Sequence, residues 1–434
     1  MHKTKSIALI ALLAVFPLLL SAQNSTNSPY TRFGLGKLAD QSFASQRAMG
    51  GIGIGLYDSK SINPLNPASF SSVDSMTFMF DMGVTGQVAW FEYDGNTSRK
   101  VNGNLEYVAM QFPLSKRLGM GVGIMPISYV GYNFGDSIQT ENLEEKGEER
   151  YAGKGGLQKV YATLSYNIAD RLSLGVNVGY MFGDIFNDKA VILDNSYIYG
   201  TYYSDTLRTA GLLYEVGLQY IHPLGKDKQL VIGAVYAPKT KFNATQRSAT
   251  TTYTSGSSSA QTTASEVRSG LGFEMPQKIG VGASFMKKRH YTVGADFQMQ
   301  QWGDAKYYGK TDTLSNNIKI SLGGEYTPVY LSNNLIKRMT YRAGAYYSDS
   351  YFEVGGTGYK EYGITFGLGI PTAATMGNRR SMLNLTFDYT LLRPNKTSSF
   401  QYNGKEMGLV NEQYFKITAS YTFNELWFFK RKVQ

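Results

Sequence analysis

Catalysis needs nucleophiles, bases or metal ligands at workable spacings, and this sequence offers few of them. It has no cysteine, and its only histidines are His2, His222 and His290. His222 sits beside Pro223 and His290 follows Lys287-Lys288-Arg289, so both read as turn residues without a partner at metal-ligand spacing. No Gly-x-Ser-x-Gly elbow is present. Without cysteine there is neither a thiolate metal site nor a disulfide framework. The expectation is a non-enzyme with no cofactor and no metal.

Residues that could hold or gate a ligand lie near the N-terminus. Arg47-Ala48-Met49-Gly50-Gly51-Ile52-Gly53-Ile54-Gly55 is followed by Ser61-Ile62-Asn63-Pro64-Leu65-Asn66-Pro67-Ala68-Ser69-Phe70. Arg47, Asn63, Pro64, Asn66 and Pro67 are candidates for a gate or a ligand floor. The structural alternative is that the prolines fix turns and the asparagines cap them, and it is the stronger of the two. A sixth candidate, Pro126, interrupts the alternating run Gly121 to Ile127. Proline removes a ladder donor, so it marks either a kink in the wall or the end of a strand. Continuous pairing to both neighbours at Pro126 would remove the first reading. Asp81, Asp296 and Asp388 could line a pore, but pairing with cations is favoured because an unpaired buried charge is costly.

The elements that would position these residues follow from periodicity. Lys3 and Lys5 precede an apolar run, Ile7 to Leu20, and Ser21-Ala22 offers a cleavage site before Gln23. This is a signal peptide over 1–22, because about 14 apolar residues fall short of the roughly 20 a spanning helix needs. Later stretches alternate instead. Leu172, Leu174, Val176, Val178, Tyr180 and Phe182 share one parity, and Ser173, Gly175, Asn177 and Gly179 the other. Phe78 to Trp90, Tyr291 to Gln300 and Leu383 to Leu391 repeat the pattern. Period two over nine or more residues is the mark of a tilted membrane-spanning strand.

About 14 such strands begin near Ser75, Gly103, Arg117, Gly155, Arg171, Thr206, Lys228, Gly270, Arg289, Ser315, Arg338, Gly358, Arg380 and Glu412. The predicted fold is all-β, a 14-stranded antiparallel transmembrane barrel over 74–434, an even number as closure of bacterial barrels requires. Turns at Ser115-Lys116, Ala169-Asp170, Pro223 to Asp227 and Lys287-Lys288 are tight. Long polar loops are expected over Asn133 to Lys154, Asp184 to Asp205 and Asn243 to Ser269, the last mobile around Ser248 to Ser265. That asymmetry places the short turns and both termini in the periplasm of a Gram-negative outer membrane.

The net charge of +10, or +8 without Lys3 and Lys5, falls mainly at the short-turn rim. Lys116, Arg117, Arg171, Lys226, Lys228, Lys287, Lys288, Arg289, Lys337, Arg338, Arg379, Arg380, Lys430, Arg431 and Lys432 would meet anionic headgroups there, with some serving only as soluble turn residues. Outer-membrane lipids are therefore expected partners and nucleic acid is not.

Residues 23–73 are too rich in glycine and proline for regular structure and too poor in charge for a disordered tail. A plug inside the lumen satisfies both facts, because lumen side chains can pair its backbone. Arg47-Ala48-Met49-Gly50-Gly51 followed by Asn66-Pro67-Ala68 resembles the N-terminal hatch of the FadL-type transporters of long-chain fatty acids and hydrophobic compounds. That family is a 14-stranded barrel plugged by a hatch, and the resemblance covers nearly the whole mature chain. Ser69-Phe70 in place of a Gly-Leu pair, the second Asn63-Pro64, and the tail Leu426-Trp427-Phe428-Phe429-Lys430-Arg431-Lys432 mark a divergent branch. The resemblance implies passive uptake of hydrophobic small molecules such as fatty acids, past the hatch and out either laterally, at a kink at Pro126, or into the periplasm. The alternative is a non-transporting accessory barrel of an outer-membrane secretion or assembly complex, with other outer-membrane proteins as partners. A ligand-sized apolar cavity above the hatch favours the first, and a lumen filled by side chains favours the second.

Overall fold

The computed structural model describes residues 26–426 apart from 140–145, 194–198, 255–259, 312–313, 355, 373–380, 396–399, 403–404 and 408. The expected signal peptide, Arg379, Arg380 and the tail after Leu426 lie outside the described residues.

A two-residue strand β1 (Lys37–Leu38) lies in the N-terminal segment. The wall then runs through β2 (Thr77–Tyr93), β3 (Asn96–Pro113), β4 (Leu118–Gln139), β5 (Lys146–Ala169), β6 (Leu172–Leu193) and β7 (Tyr199–Pro223). The seventh wall strand is β8 (Lys228–Ala237) continued by β9 (Thr240–Thr254) across Pro238. The eighth is β10 (Ala260–Ser269), β11 (Phe273–Met275) and β12 (Lys278–Lys287), broken around Gly270 and Pro276. Next come β13 (Tyr291–Gln300), β14 (Asn317–Tyr326), β15 (Thr340–Val354), β16 (Thr357–Pro371) and β17 (Met382–Pro394). A small hairpin, β18 (Phe400–Tyr402) and β19 (Lys405–Met407), precedes the last wall strand, β20 (Asn411–Leu426).

Each wall strand pairs antiparallel with the next, and β20 pairs with β2 from Thr77↔Leu426 to Glu92↔Asn411. The ring of 14 strands is thereby closed, as the sequence predicts. Its parity is that of a membrane barrel. Leu174, Val176, Val178 and Tyr180 on β6 and Leu212, Tyr214, Val216 and Leu218 on β7 are exposed, while Ser173, Asn177, Glu215 and Gln219 face inward and are buried. Apolar residues thus face outward, where lipid is the solvent that suits them.

Two expectations need correction. The second strand starts at Asn96 rather than near Gly103, because Asp94 and Gly95 both take positive φ (45° and 75°) and form a tight hairpin turn. Residues 96–102, polar apart from Val101, hide the strand from a search for apolar alternation. The predicted long loops are also largely strand. Tyr199–Ala210 pairs with Asn243–Thr254, Ala260–Ser269 pairs with Thr245–Tyr253, and Gly147–Lys154 pairs with Phe186–Leu193. The Ser/Thr-rich stretch is therefore ladder over most of its length. β7 has 25 residues, well beyond the 9–11 that cross a bilayer, so its upper part continues past the apolar belt.

Candidate functional site

Residues 26–73 fold against the inner faces of the wall, and short polar devices shape them. Ser28 caps the turn Pro29–Arg32, and Asn66 caps the turn Pro67–Ser72 through Oδ1, which accepts from Ala68 N at 3.0 Å. Pro67 opens that turn, where a missing N–H costs nothing. Asn63 closes the glycine loop: its Nδ2 donates to Gly53 O (2.7 Å) and Leu56 O (3.0 Å), and its Oδ1 accepts from Leu65 N. Pro64, between the two asparagines, is half-buried.

Hydrogen bonds tie the segment to strands around most of the ring. Gln111 on β3 donates to Phe70 O (3.0 Å), Ser165 on β5 to Ala68 O (2.8 Å), and Ser284 on β12 to Gly55 O (2.6 Å). Gln219 on β7 donates to Ile54 O (2.9 Å) and Leu56 O (3.1 Å), and Asn66 Nδ2 donates to the same Ile54 oxygen (2.8 Å). Gly50 N donates to Thr365 on β16 (2.9 Å), and Thr386 on β17 donates to Ala44 O (2.8 Å). Close approach adds to this. A Cβ on Gly233 would sit 2.6 Å from the Ile54 carbonyl carbon, and one on Gly323 would sit 2.5 Å from that of Met49, so both positions need glycine.

Charges also tie the segment to the wall. Arg47 is 4 % exposed, and its Nη2 lies 3.1 Å from Glu106 on β3 and donates to Ser42 O at 3.3 Å. Burial opposes its charge, but Glu106 and Asp40 more than offset this and hold the guanidinium pKa above its ordinary value. Asp40 lies 3.0 Å from Lys319 on β14. Burial opposes its charge too, but Lys319 and Arg47 hold the carboxyl below the usual carboxylate range. Lys37 lies 3.6 Å from Glu361 on β16. These groups, with Asp388 and Lys416, are among the residues that line a cavity of about 190 Å³.

Two of the three lumen acids differ from expectation. Of the three, only Asp388 forms an ion pair among the described residues, with Lys416 at 3.8 Å. Asp81 instead accepts from Tyr107 (3.2 Å) and Thr422 (2.8 Å), and Asp296 from the backbone N–H groups of Gly53 (2.6 Å) and Ile54 (2.8 Å). Hydroxyl and amide donors thus do what cations were expected to do.

Above the segment the lumen is packed with side chains. Tyr30 and Leu35 join Phe242, Phe273, Trp302, Tyr351, Phe352 and Tyr359 in one buried cluster. Tyr30 and Tyr359 have ring centroids 4.2 Å apart, and Trp302 and Tyr351 4.7 Å. Trp302 and Leu314 come from the connection between β13 and β14, which folds inward.

Pro126 marks a seam. The β3–β4 ladder spans only Val108↔Ile124 to Pro113↔Gly119. Beyond it β4 keeps its pairing with β5, except for a register shift between Pro126 and Ser128, while β1 pairs with Tyr129 and Ser128. Ala39 N donates to Ile127 O (2.8 Å) and Gln41 Nε2 to Pro126 O (2.9 Å). Met125 to Ser128 are all buried, so both faces of β4 are covered there. Pairing at Pro126 is thus not continuous with both neighbours, and the N-terminal segment takes the place β3 leaves.

The structure brings Arg47, Asn63, Asn66 and Pro67 into one bonded unit and sets Pro126 at its edge. Sequence reasoning missed Lys37, Asp40, Glu106, Lys319, Glu361 and Trp302. For Glu106, Lys319 and Glu361 the available signal was charge inside wall strands, since an ionisable residue at membrane depth implies a partner.

A closed 14-stranded antiparallel barrel with an outward apolar face and an internally bonded N-terminal segment defines a FadL-type fold. The chain belongs to the BamG family, whose family model matches residues 1–434. Among solved structures it is similar to a Pseudomonas aeruginosa FadL homologue, with TM-score 0.61 and 12 % identity over 89 % of this chain and 99 % of that one. It is also similar to the Ralstonia pickettii toluene transporter TbuX (0.55, 16 %, 90 % and 99 %) and the P. putida toluene transporter TodX (0.55, 16 %, 88 % and 98 %). At such identities the likeness is one of fold. No curated protein matches the sequence.

Proposed function

We propose that this protein is a plugged accessory barrel of an outer-membrane assembly or secretion complex, with its termini on the periplasmic side. The observation that carries this reading is the filled lumen. An aromatic cluster occupies the space above the N-terminal segment, and the cavity beside Arg47 is small and ringed by charged side chains. A hydrophobic ligand gains little from such a site, because ligand pockets are larger and carry only a few polar groups. On this reading Arg47, Asn63, Pro64, Asn66 and Pro67 hold the plug, and the match to the BamG family favours the same role.

The second reading is passive uptake of a hydrophobic small molecule, with residues 26–73 as a hatch and the seam at Pro126 as the exit. The shortened β3–β4 ladder favours it, as do the toluene transporters among the structural neighbours. Native pull-down in mild detergent with lipid and ligand mass spectrometry separates the two. Stoichiometric outer-membrane proteins without a bound hydrophobic compound support the accessory role. A monodisperse barrel that carries such a compound overturns it in favour of transport.

A further inference from the structure

We propose that the connection between β14 and β15 is an interfacial anchor that inserts Leu335 and Ile336 into the leaflet at the short-turn rim, with Lys337 at the lipid phosphates. The described connections on that rim are short: residues 114–117, 170–171, 224–227 and 288–290. By contrast, residues 327–339 form a much longer excursion that contains the helical turn Leu335–Arg338.

This excursion is a built element. Thr327 N donates to His290 O at 2.7 Å, Val329 N to Lys337 O at 2.8 Å, and Asn334 caps the turn by accepting from Ile336 N at 2.9 Å. Yet Ile336 is 67 % exposed and Leu335 44 %. Holding two large aliphatic side chains in water by an ordered turn costs free energy, which burial in lipid would recover.

The turn's position identifies what covers them. Arg342 faces the lumen, bonded to Glu325 and Asn384, so its neighbour Tyr341 points outward. The Tyr341 hydroxyl donates to Ile336 O at 3.0 Å, which sets the helical turn against the outer side of the wall. The outward face above it continues through exposed Tyr326, Leu322 and Ile320 on β14. Ile336 and Leu335 therefore extend the lipid-facing belt. Lys337 is exposed beside them, and a lysine stem lies along apolar surface while its ammonium reaches phosphate. An apolar pair beside a cation fits the interface of a leaflet that carries anionic headgroups.

Because the chain has no cysteine, single labels can test this in the full-length barrel. Ile336→Cys carries an environment-sensitive fluorophore in liposomes of phosphatidylethanolamine and phosphatidylglycerol, and Lys226→Cys in an ordinary turn is the reference. Heat-modifiable gel mobility checks folding, and Leu335→Cys replaces Ile336→Cys if that barrel fails to form. The expected result is at least about threefold stronger quenching by nitroxide lipids at 336 than at 226, with correspondingly weaker quenching by iodide. Lys337→Gln should reduce the gain contributed by phosphatidylglycerol. Equal iodide quenching at both positions overturns the proposal. So does shielding that appears only in native membranes with a co-purified protein, which would assign the turn to a protein partner.

Discussion

Placing one methyl group on the lumen face of β8 should loosen the N-terminal segment without harming the wall. The Cβ of Gly233→Ala would lie 2.6 Å from the Ile54 carbonyl carbon, where ordinary contact needs 3.4–4 Å. The obstacle is backbone, and the carbonyl oxygen of Ile54 is closer still, so the segment must move by about 1.5 Å. Four hydrogen bonds meet at this point: two into Ile54 O from Asn66 and Gln219, and two from Gly53 N and Ile54 N into Asp296. Ordinary buried bonds contribute about 0.5–1.5 kcal/mol and those to a charged acceptor about 1.5–3, so stretching rather than losing them costs about 2–4 kcal/mol. Gly86→Ala is the control, since a Cβ there meets nothing within 4 Å. Conductance in planar bilayers and cell sensitivity to a large hydrophilic antibiotic report on closure, and the urea midpoint reports on stability. Gly233→Ala should show openings and a lowered midpoint while Gly86→Ala matches the parent. Identical behaviour of the two variants would refute the claim that this contact holds the segment in place.

Other substitutions probe the remaining ties. Arg47→Met leaves Glu106 buried without its cation and should destabilise the protein by about 3–5 kcal/mol, read as a denaturation midpoint, with partial recovery in Arg47→Met/Glu106→Gln. Phe43 is stacked on Tyr107 at 3.7 Å, so Phe43→Ala should cost about 3–5 kcal/mol and increase protease access to residues 26–73. Asp40 has a lowered carboxyl pKa, so its contribution is full above the ordinary carboxylate range and is lost only as pH falls through the lower folded value. The Asp40-dependent part of protease access, read as the difference between the parent and Asp40→Asn, should therefore stay constant between about pH 8 and 5 and shrink only in stronger acid. At the hairpin, Gly95→Val forces a β-branched residue to φ 75° and should slow barrel folding, measured by heat-modifiable gel mobility, while leaving the lumen closed.

Much of the wall was legible because its chemistry is periodic. Residues such as Leu174, Val176 and Val178 repeat on one face, and that pattern needs no knowledge of neighbours. The reading failed where the pattern left the bilayer. Residues 96–102 and 243–269 are mostly polar and show no apolar alternation, yet β3, β9 and β10 run through them, because ladder hydrogen bonds rather than lipid contact hold strands there. The Asp94-Gly95 turn was a readable signal that polarity concealed.

The candidate site divides along the same line. Asn63, Asn66 and Pro67 each set the turn that follows them, through Leu65 N, Ala68 N and the first turn position, so those turn-making roles could be read from local spacing. Arg47 meets Glu106, Lys319 meets Asp40 and Trp302 meets Tyr351 across long stretches of chain. Those partners depend on which strands closure of the ring sets opposite the segment. By itself the sequence determined that the chain is a barrel of 14 strands with an unusual N-terminal segment, because alternation and turn chemistry are local properties. Only the tertiary structure decided that the lumen is filled, that the acids answer mostly to hydroxyls and amides, and that β4 leaves β3 after Ile124. Each of these depends on distances between residues far apart in the chain, which no local pattern encodes.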